Sequence, residues 1–292
     1  MMTAINRIPT SSSNDAKKLR SERIGRFSSR TLLVIYALLI VVPIVVVVFG
    51  SFKNQSQIIL NPLGPPSKGN LEGYRKVISE HIFRALKNSV IVVGLSVSLT
   101  LLAASLTAFS VARLGGWRSN VLFGFFTLGM AVPAQVNGIQ QYTMFKSVGL
   151  TNSLVGLVIV NMAVTLPVSV FILTGFMKTL PKELFEAGVV DGASQWRLYR
   201  SIAMPLSMPS VAAVAIFLFV AHWNDLYYPL LFITDESKWT LPRTLAQLRG
   251  EFLTDYPALF AGVVIASAPM VAAYVFLQRW FVAGLTSGAV KG

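Results

Sequence analysis

The sequence predicts an all-α membrane protein with six transmembrane helices, and two observations carry that prediction. Hydrophobic residues make up 54% of the 292 residues and charged residues only 13%, whereas soluble domains contain about 25% charged residues. Six stretches are also long and apolar enough to cross a bilayer as helices, which takes about 20 residues each. A membrane-embedded bundle therefore accounts for the composition better than a soluble domain does.

The six predicted spans define the domain organisation. They are residues 31–50, 89–112, 121–142, 153–176, 211–233 and 259–282. The transmembrane domain so defined covers residues 31–283, with a basic tail at 1–30 and a short tail at 284–292. The first span has a long apolar core and no small-residue cleavage site after it, which is typical of an uncleaved span rather than a signal peptide.

Positive charge predicts the orientation of the chain. An even number of spans places both termini on one side of the membrane, and 15 of the 25 lysines and arginines lie on that side. Because basic residues accumulate on the cytoplasmic side, both termini are predicted to be cytoplasmic. The net charge of +13 is distributed over these loops and tails rather than over one folded face, so we expect no nucleic-acid partner.

A polar segment at residues 182–209, between the fourth and fifth spans, contains the sequence "EAGVVDGASQWRLYRSIAMPLSMPS". Four apolar residues recur there at helical spacing: Phe185, Val189, Ala193 and Trp196. Asp191 and Gly192 predict a turn, and Pro205 predicts the end of a second short helix. The pattern leaves two interpretations open: a helix that packs into a groove on a protein partner, or a loop lying on the membrane surface.

The same segment resembles the EAA motif of ABC-importer permeases. The matching residues are Glu186, Ala187, Asp191, Gly192, Ala193, Ile202 and Pro205. Gly188 and Met204 depart from the motif, in which alanine and leucine are usual at these positions. The stretch "AHWNDLYYPLLF", the approach to the second span and the ending "GLTSGAVKG" resemble carbohydrate-type permeases of the MalG-like family, which have the MetI-like architecture. The resemblance covers residues 31–292.

This resemblance implies a permease subunit of an ATP-driven, binding-protein-dependent importer of a sugar or oligosaccharide in the bacterial cytoplasmic membrane. It implies three protein partners: a second similar permease, an ABC ATPase dimer and an extracytoplasmic solute-binding protein. Glu186 would pair with a basic residue of the ATPase, and Gly192 would permit the bend of the segment. The ATPase-coupling residues that it implies are Glu186, Ala187, Gly188, Asp191, Gly192, Ala193, Ile202 and Pro205.

Catalytic motifs are missing from the sequence. A phosphate-binding loop needs a Gly-Lys dipeptide, and the chain has none, so ATP and Mg²⁺ are expected to be used by a partner ATPase and no cofactor by this chain. The chain has no cysteine, which excludes thiolate metal sites and cysteine nucleophiles. His222 and Asp225 are spaced for a metal pair but lack a third ligand, and a serine-protease elbow is absent. We therefore predict a transporter subunit and not an enzyme.

Polar side chains inside the predicted spans indicate a substrate pathway, because such groups usually face a cavity or another helix. The candidates are Asn137, Gln140, Gln141, Asn161, Trp223, Asn224, Asp225 and Tyr228. Amide, hydroxyl and aromatic groups suit a carbohydrate, whose hydroxyls need hydrogen bonds and whose C–H faces stack on rings. The alternative, that these residues bond helix to helix or sit at the membrane interface, remains open.

Two rival functions remain at the level of sequence. The same architecture could carry another polar solute, such as a glycerophosphodiester or a polyol. The chain could also be a self-sufficient secondary transporter, although such proteins usually have internal repeats and intramembrane charges for ion coupling. Here no repeat is visible, and Asp225 is the only acid well inside a predicted span.

Overall fold

The structure is a computed structural model that describes residues 12–79, 82–131, 133–248 and 254–289. These residues form helices and loops, with no β-strand among them. The helices are α1 (Ser12–Gly50), α2 (Gln55–Leu60), α3 (Glu72–Ser79), α4 (Ile82–Leu114), α5 (Gly116–Gly129), α6 (Gly138–Ser147), α7 (Leu154–Met177), α8 (Lys182–Val190), α9 (Gln195–Leu198), α10 (Met204–Trp223), α11 (Tyr227–Phe232), α12 (Leu241–Gln247) and α13 (Tyr256–Ala289).

Five helical stretches in the described part of the chain are long and apolar enough to cross a membrane. They are Ser29–Gly50, Ile82–Arg113, Leu154–Met177, Gln195–Trp223 and Tyr256–Phe276. Helix α5 and the stretch Ala134–Ser147 form a sixth span if the two are counted as one, with a bend of 78° between them. The prediction of an all-helical membrane protein is confirmed, and the number of spans reaches six only with this bent pair.

The third predicted span, residues 121–142, is wrong as a single helix. Helix α5 ends at Gly129, where the amide of Met130 bonds back to Thr127 and Leu128, and a 3₁₀ turn at Ala134–Asn137 leads into α6. Pro133 explains the break, because proline has no amide hydrogen and disfavours helical backbone at the residue before it. The second half of the span is therefore turned away from the first.

The fifth predicted span, residues 211–233, has different bounds in the structure. The helical path runs from Gln195 to Trp223, so the prediction that Pro205 ends a short helix is wrong. A π turn at Tyr199–Ala203 precedes α10, and its wide spacing brings the amide of Met204 to the carbonyl of Tyr199. Pro205, the next residue, has no amide hydrogen to donate. The π turn before it therefore lets the helical path continue through the proline.

Helices α4, α7 and α10 form the centre of the bundle. Buried side chains from all three meet in one apolar cluster, which includes Ala104 and Phe109 of α4, Leu173 of α7 and Leu218 of α10. Small residues allow this close approach, which is the usual basis of helix packing inside membranes. Helix α13 packs on α10, and α5 packs on α7.

Helix α1 lies at the edge of the bundle. Its apolar side chains between residues 32 and 44 are largely exposed, and its last residue, Gly50, lies against the ring of Phe260 in α13. α1 begins at Ser12, inside the predicted tail 1–30, and α13 continues to Ala289, inside the predicted tail 284–292. Residues 1–11 and 290–292 of these two tails lie outside the described residues.

The loops of the bundle lie at two ends. One end, which we call the α8 end, carries the α4–α5 turn together with α8 and α9. The other, which we call the opposite end, carries α2, α3, α11 and α12. The predicted coupling residues lie at the α8 end, while most of the predicted pathway residues lie towards the opposite end.

Candidate docking segment and substrate pathway

The polar segment at residues 182–209 folds as two helical arms joined by a tight turn. The amide of Ala193 donates to the carbonyl of Gly188 at 2.9 Å, and the amide of Gly192 donates to that of Val189 at 3.0 Å. Gly192 has a φ of 75°, a left-handed conformation that glycine adopts without strain, and this hydrogen-bond pair is the glycine-terminated helix end known as the Schellman motif. The Asp191–Gly192 pair therefore ends α8, as the sequence predicts.

The second arm begins immediately after this turn. The side chain of Ser194 accepts a hydrogen bond from the amide of Arg197 at 3.3 Å, which caps α9. At Gly188 the two arms lie so close that an added Cβ would stand 2.6 Å from Cδ2 of Leu198 and 3.2 Å from Cδ1 of Ile202. The position where the permease motif usually has alanine is thus a close contact here.

The predicted apolar face of the segment is divided between two surroundings. Phe185 is 2% exposed and packs into the central cluster, whereas Val189 and Trp196 are 52% and 58% exposed. The prediction of one continuous apolar face is therefore wrong, because the bundle covers only Phe185 and Ala193, while Val189, although on the same helix as Phe185, lies outside the cluster. What the segment presents outward is a mixed surface, which we call the docking surface; its exposed members are Glu186, Ala187, Val189, Val190, Asp191, Gly192 and Trp196.

Two of the predicted pathway residues, Gln141 and Tyr228, are joined directly. The Tyr228 hydroxyl donates to Oε1 of Gln141 at 2.9 Å, and the neighbouring Tyr227 hydroxyl donates to the carbonyl of Gln135 at 3.0 Å. A Cβ on Gly138 would overlap the Tyr227 hydroxyl, so only glycine lets α6 lie this close. Helix α11 therefore holds the second half of the bent span.

Asp225 organises the start of α11. Its Oδ1 accepts the amide hydrogens of Tyr227 at 3.0 Å and Tyr228 at 3.3 Å. Its other carboxylate oxygen, Oδ2, is buried and makes no hydrogen bond. One carboxylate oxygen thus fixes the aromatic pair at the start of α11.

The remaining pathway candidates are dispersed. Trp223 is 3% exposed, and its indole N–H donates to the carbonyl of Ala266 in α13 at 3.1 Å, which is the geometry of helix-to-helix packing. Asn161 is buried, Asn137 is half-buried, and Gln140 and Asn224 are exposed. The structure brings together Gln141 and Tyr228 and does not gather all eight candidates around one opening.

A buried polar cluster at His222 connects the three central helices. Ser96 of α4 lies 2.7 Å from Nδ1 of His222, and Thr165 of α7 lies 3.1 Å from Nε2. Each hydroxyl also lies near a backbone carbonyl, that of Val93 at 3.3 Å for Ser96 and that of Asn161 at 2.7 Å for Thr165, so the histidine and both hydroxyls are held by hydrogen bonds inside the bundle. In the described part of the chain, no three His, Cys, Asp or Glu side chains converge as metal ligands would.

The opposite end contains a second group of anchoring residues that the sequence did not single out. Asn152, with a φ of 51°, accepts the amides of Thr234 and Asp235 at 3.2 and 3.0 Å. The Asn88 side chain donates to the carbonyls of Ser237 and Trp239 at 3.0 and 2.9 Å. The side chains of Asn88 and Asn152 thus hold the loop between α11 and α12 on the bundle. In the sequence, each is marked only as an asparagine beside an apolar stretch.

Comparison with known proteins places this arrangement in context. The family described as "binding-protein-dependent transport system inner membrane component" matches residues 96–287, which include the docking segment and α11. The chain is similar to the multiple sugar-binding transport system permease protein MsmG of Streptococcus mutans, with 32% identity over 93% of this chain and 99% of that protein. It is also similar to the trehalose/maltose transport system permease protein MalG of Thermococcus litoralis, with 32% identity over 90% of this chain and 97% of that protein.

A solved structure has the same fold. A chain of a bacterial ABC transporter involved in the import of the acidic polysaccharide alginate superposes with a TM-score of 0.77. The match covers 90% of this chain and 98% of that chain, at 18% sequence identity. At this identity the likeness establishes the fold without extending to the solute.

Proposed function

The chain belongs to the family of binding-protein-dependent transport system inner membrane components, and on that premise we propose that it is a permease subunit of an ATP-driven importer of a sugar or oligosaccharide. The family is a transport component of the inner membrane and not a catalytic subunit. The carbohydrate is supported by the relatives, one of which is named for trehalose and maltose and another for multiple sugars.

The observation that carries the proposal is the geometry of the docking surface. The Schellman turn at Gly192 folds the segment back on itself and leaves Glu186 exposed on the first arm and Trp196 on the second. Val190, between them, is 86% exposed, although a soluble surface rarely presents large apolar side chains in a group. A cleft on an ABC ATPase that offers apolar contacts and a basic residue for Glu186 would cover this surface.

The partners follow from what this chain lacks. It has no phosphate-binding loop, so an ATPase dimer binds ATP and Mg²⁺, and no cofactor is held here. A second, similar permease completes the translocation pathway, because the eight candidate pathway residues of this chain do not gather around one opening. The solute-binding protein docks at the opposite end, where the amides of Asn88 and Asn152 fix a rigid loop.

The substrate pathway lies along α6 and the start of α11. Gln140 and Asn137 lie on the bent span beside the bonded pair Gln141 and Tyr228, and Asn224 is exposed where α10 ends. Exposed amides at this depth are costly unless they face water or a polar solute. This half of the pathway therefore contributes hydrogen-bonding groups, while Trp223 and Asn161 are buried and do not line it.

The decisive test reverses one charge on the docking surface. In the complete transporter, Glu186→Lys should lower ATP-driven solute uptake by about tenfold or more, because a desolvated charge pair lost at an interface costs about 2–5 kcal/mol. Glu183→Lys is the matched control, since Glu183 is exposed on the same helix but is not a member of the docking surface. The measurements are radiolabelled sugar uptake in vesicles and co-purification of the ATPase.

Four outcomes are informative. Loss of uptake and of the ATPase in Glu186→Lys alone would support the proposed function. Normal uptake in both variants would remove the docking role and favour a loop that lies on the membrane surface. Uptake by the purified chain without any ATPase would replace the proposal by the secondary transporter, while uptake of a polyol or glycerophosphodiester instead of sugars would change only the solute.

A further inference from the structure

The first arm of the docking segment is rooted in the bundle by Phe185. The centre of the Phe185 ring lies 6.4 Å from that of Phe109. The guanidinium carbon of Arg113 lies 4.3 Å from the centre of the Phe185 ring. Phe109 and Arg113 both belong to the last turns of α4, and Phe185 shares an apolar cluster with Phe109 and with Leu173 of α7. α8 is therefore attached to α4 by a buried side chain, although some 70 residues separate them in the sequence.

The second arm makes its own attachment to α4 through Tyr199. The Tyr199 hydroxyl lies 2.8 Å from Oγ of Ser105, and its ring packs edge-on against Phe109 with the centres 5.5 Å apart. Ser105 gives its one hydroxyl hydrogen to the carbonyl of Leu102 at 3.1 Å, so Tyr199 is the donor of the bond between them. Tyr199 is 5% and Ser105 1% exposed, and water does not replace such a bond when it breaks.

Tyr199 also connects these contacts with the docking surface itself. The exposed indole of Trp196 lies over the Tyr199 ring, with the centres 5.3 Å apart. A partner that presses on Trp196 therefore pushes on a ring whose hydroxyl is bonded to α4. The π turn that begins at Tyr199 belongs to the continuous helical path Gln195–Trp223, so the same displacement also reaches α10.

We propose that Phe185, Tyr199 and Ser105 are positioning residues that make α4 and α10 follow the docking segment as one unit. Movement of an ATPase bound to the docking surface then reaches α10 through the peptide chain and α4 through these side chains. The inference rests on the proposed function, which supplies the moving partner. It goes beyond that function by assigning the step from the docking surface into the membrane to particular side chains.

The test measures coupling rather than activity alone. Tyr199→Phe, Ser105→Ala and the double variant are compared in the complete transporter in vesicles, with ATP hydrolysis and solute uptake recorded together. Tyr199→Phe keeps the ring and removes only the donor, so we expect normal assembly and about fivefold more ATP hydrolysed per solute molecule. Since both single variants break one shared bond, the double variant should be no worse than Tyr199→Phe.

Two further variants keep the result interpretable. Tyr274→Phe is the matched control, because Tyr274 is 59% exposed on α13. The number of ATP molecules that this variant hydrolyses per solute molecule should equal that of the unmodified transporter. Phe185→Leu shortens the apolar attachment and should also raise the ratio, whereas a purely structural role would reduce the amount of assembled complex at an unchanged ratio.

The contrary outcomes are separable. Unchanged ratios in Tyr199→Phe and Phe185→Leu, or fully additive effects of Tyr199→Phe and Ser105→Ala, would overturn this inference and leave the importer intact. Failure of the unmodified transporter to take up any solute with ATP would instead overturn the proposed function.

Discussion

At the scale of single residues, one buried lysine holds a whole loop of the opposite end. Lys53 is 1% exposed, and its ammonium donates to the carbonyls of Asn61 at 2.7 Å and Pro62 at 3.2 Å. These carbonyls follow the last turn of α2, where helix carbonyls lack partners and the helix dipole attracts a cation. The chain after the first span is therefore closed into a fixed loop by one side chain.

Replacement of this lysine should loosen the loop and leave the spans in place. Lys53→Met keeps the length of the side chain but leaves two carbonyls without a donor, and hydrogen bonds to a charged group are worth about 1.5–3 kcal/mol. We expect a lower melting temperature of the detergent-purified chain and faster protease cleavage between residues 54 and 68. The exposed Lys68 gives the control, Lys68→Met; equal behaviour of the two variants would contradict the role of Lys53.

At the scale of helical elements, the two arms of the docking segment depend on the absence of a side chain at Gly188. A Cβ there would meet Cδ2 of Leu198 at 2.6 Å, and Leu198 is fully buried, so it has little room to move. Gly188→Ala should therefore cost about 1–3 kcal/mol through overpacking. Gly175→Ala in α7, where a Cβ would meet nothing within 4 Å, should cost nothing.

A second substitution tests whether this contact is the cause. Leu198→Val removes part of the opposing side chain, and the double variant with Gly188→Ala should be more stable than the sum of the two single effects predicts. The measurement is thermal unfolding in detergent. Simple additivity would mean that Gly188 is required for a reason other than the approach of the two arms.

The elements that sequence could predict were those with a strong local signal. The turn at Gly192 follows from the Asp-Gly pair, and the apolar spans follow from length and hydropathy. Pro133 breaks a span and Pro205 does not, although both are prolines in apolar surroundings, because the outcome depends on whether a neighbouring π turn accommodates the missing hydrogen bond. The burial of Phe185 and the bond between Tyr199 and Ser105 depend on tertiary contacts, which no pattern in the sequence contains.

At the scale of the whole molecule, the chain is incomplete without its surroundings. Helix α1 exposes apolar side chains between residues 32 and 48, which is stable only where lipid or another membrane subunit covers them. The two ends of the bundle also differ in kind, since the α8 end presents the docking surface and the opposite end presents loops held by Lys53, Asn88 and Asn152. The proposed function requires these ends to face the cytoplasm and the exterior, respectively.

This orientation can be tested cleanly because the chain has no cysteine of its own. Arg118, in the first turn of α5 at the α8 end, and Leu60 of the opposite end are both exposed and lie off the docking surface, so a single cysteine at either position is open to a membrane-impermeant thiol reagent. In intact cells we expect Leu60→Cys to be labelled and Arg118→Cys to be protected until the membrane is permeabilised. The reverse pattern would place the docking surface outside the cell, away from ATP, and neither the importer nor the coupling through Tyr199 could then hold.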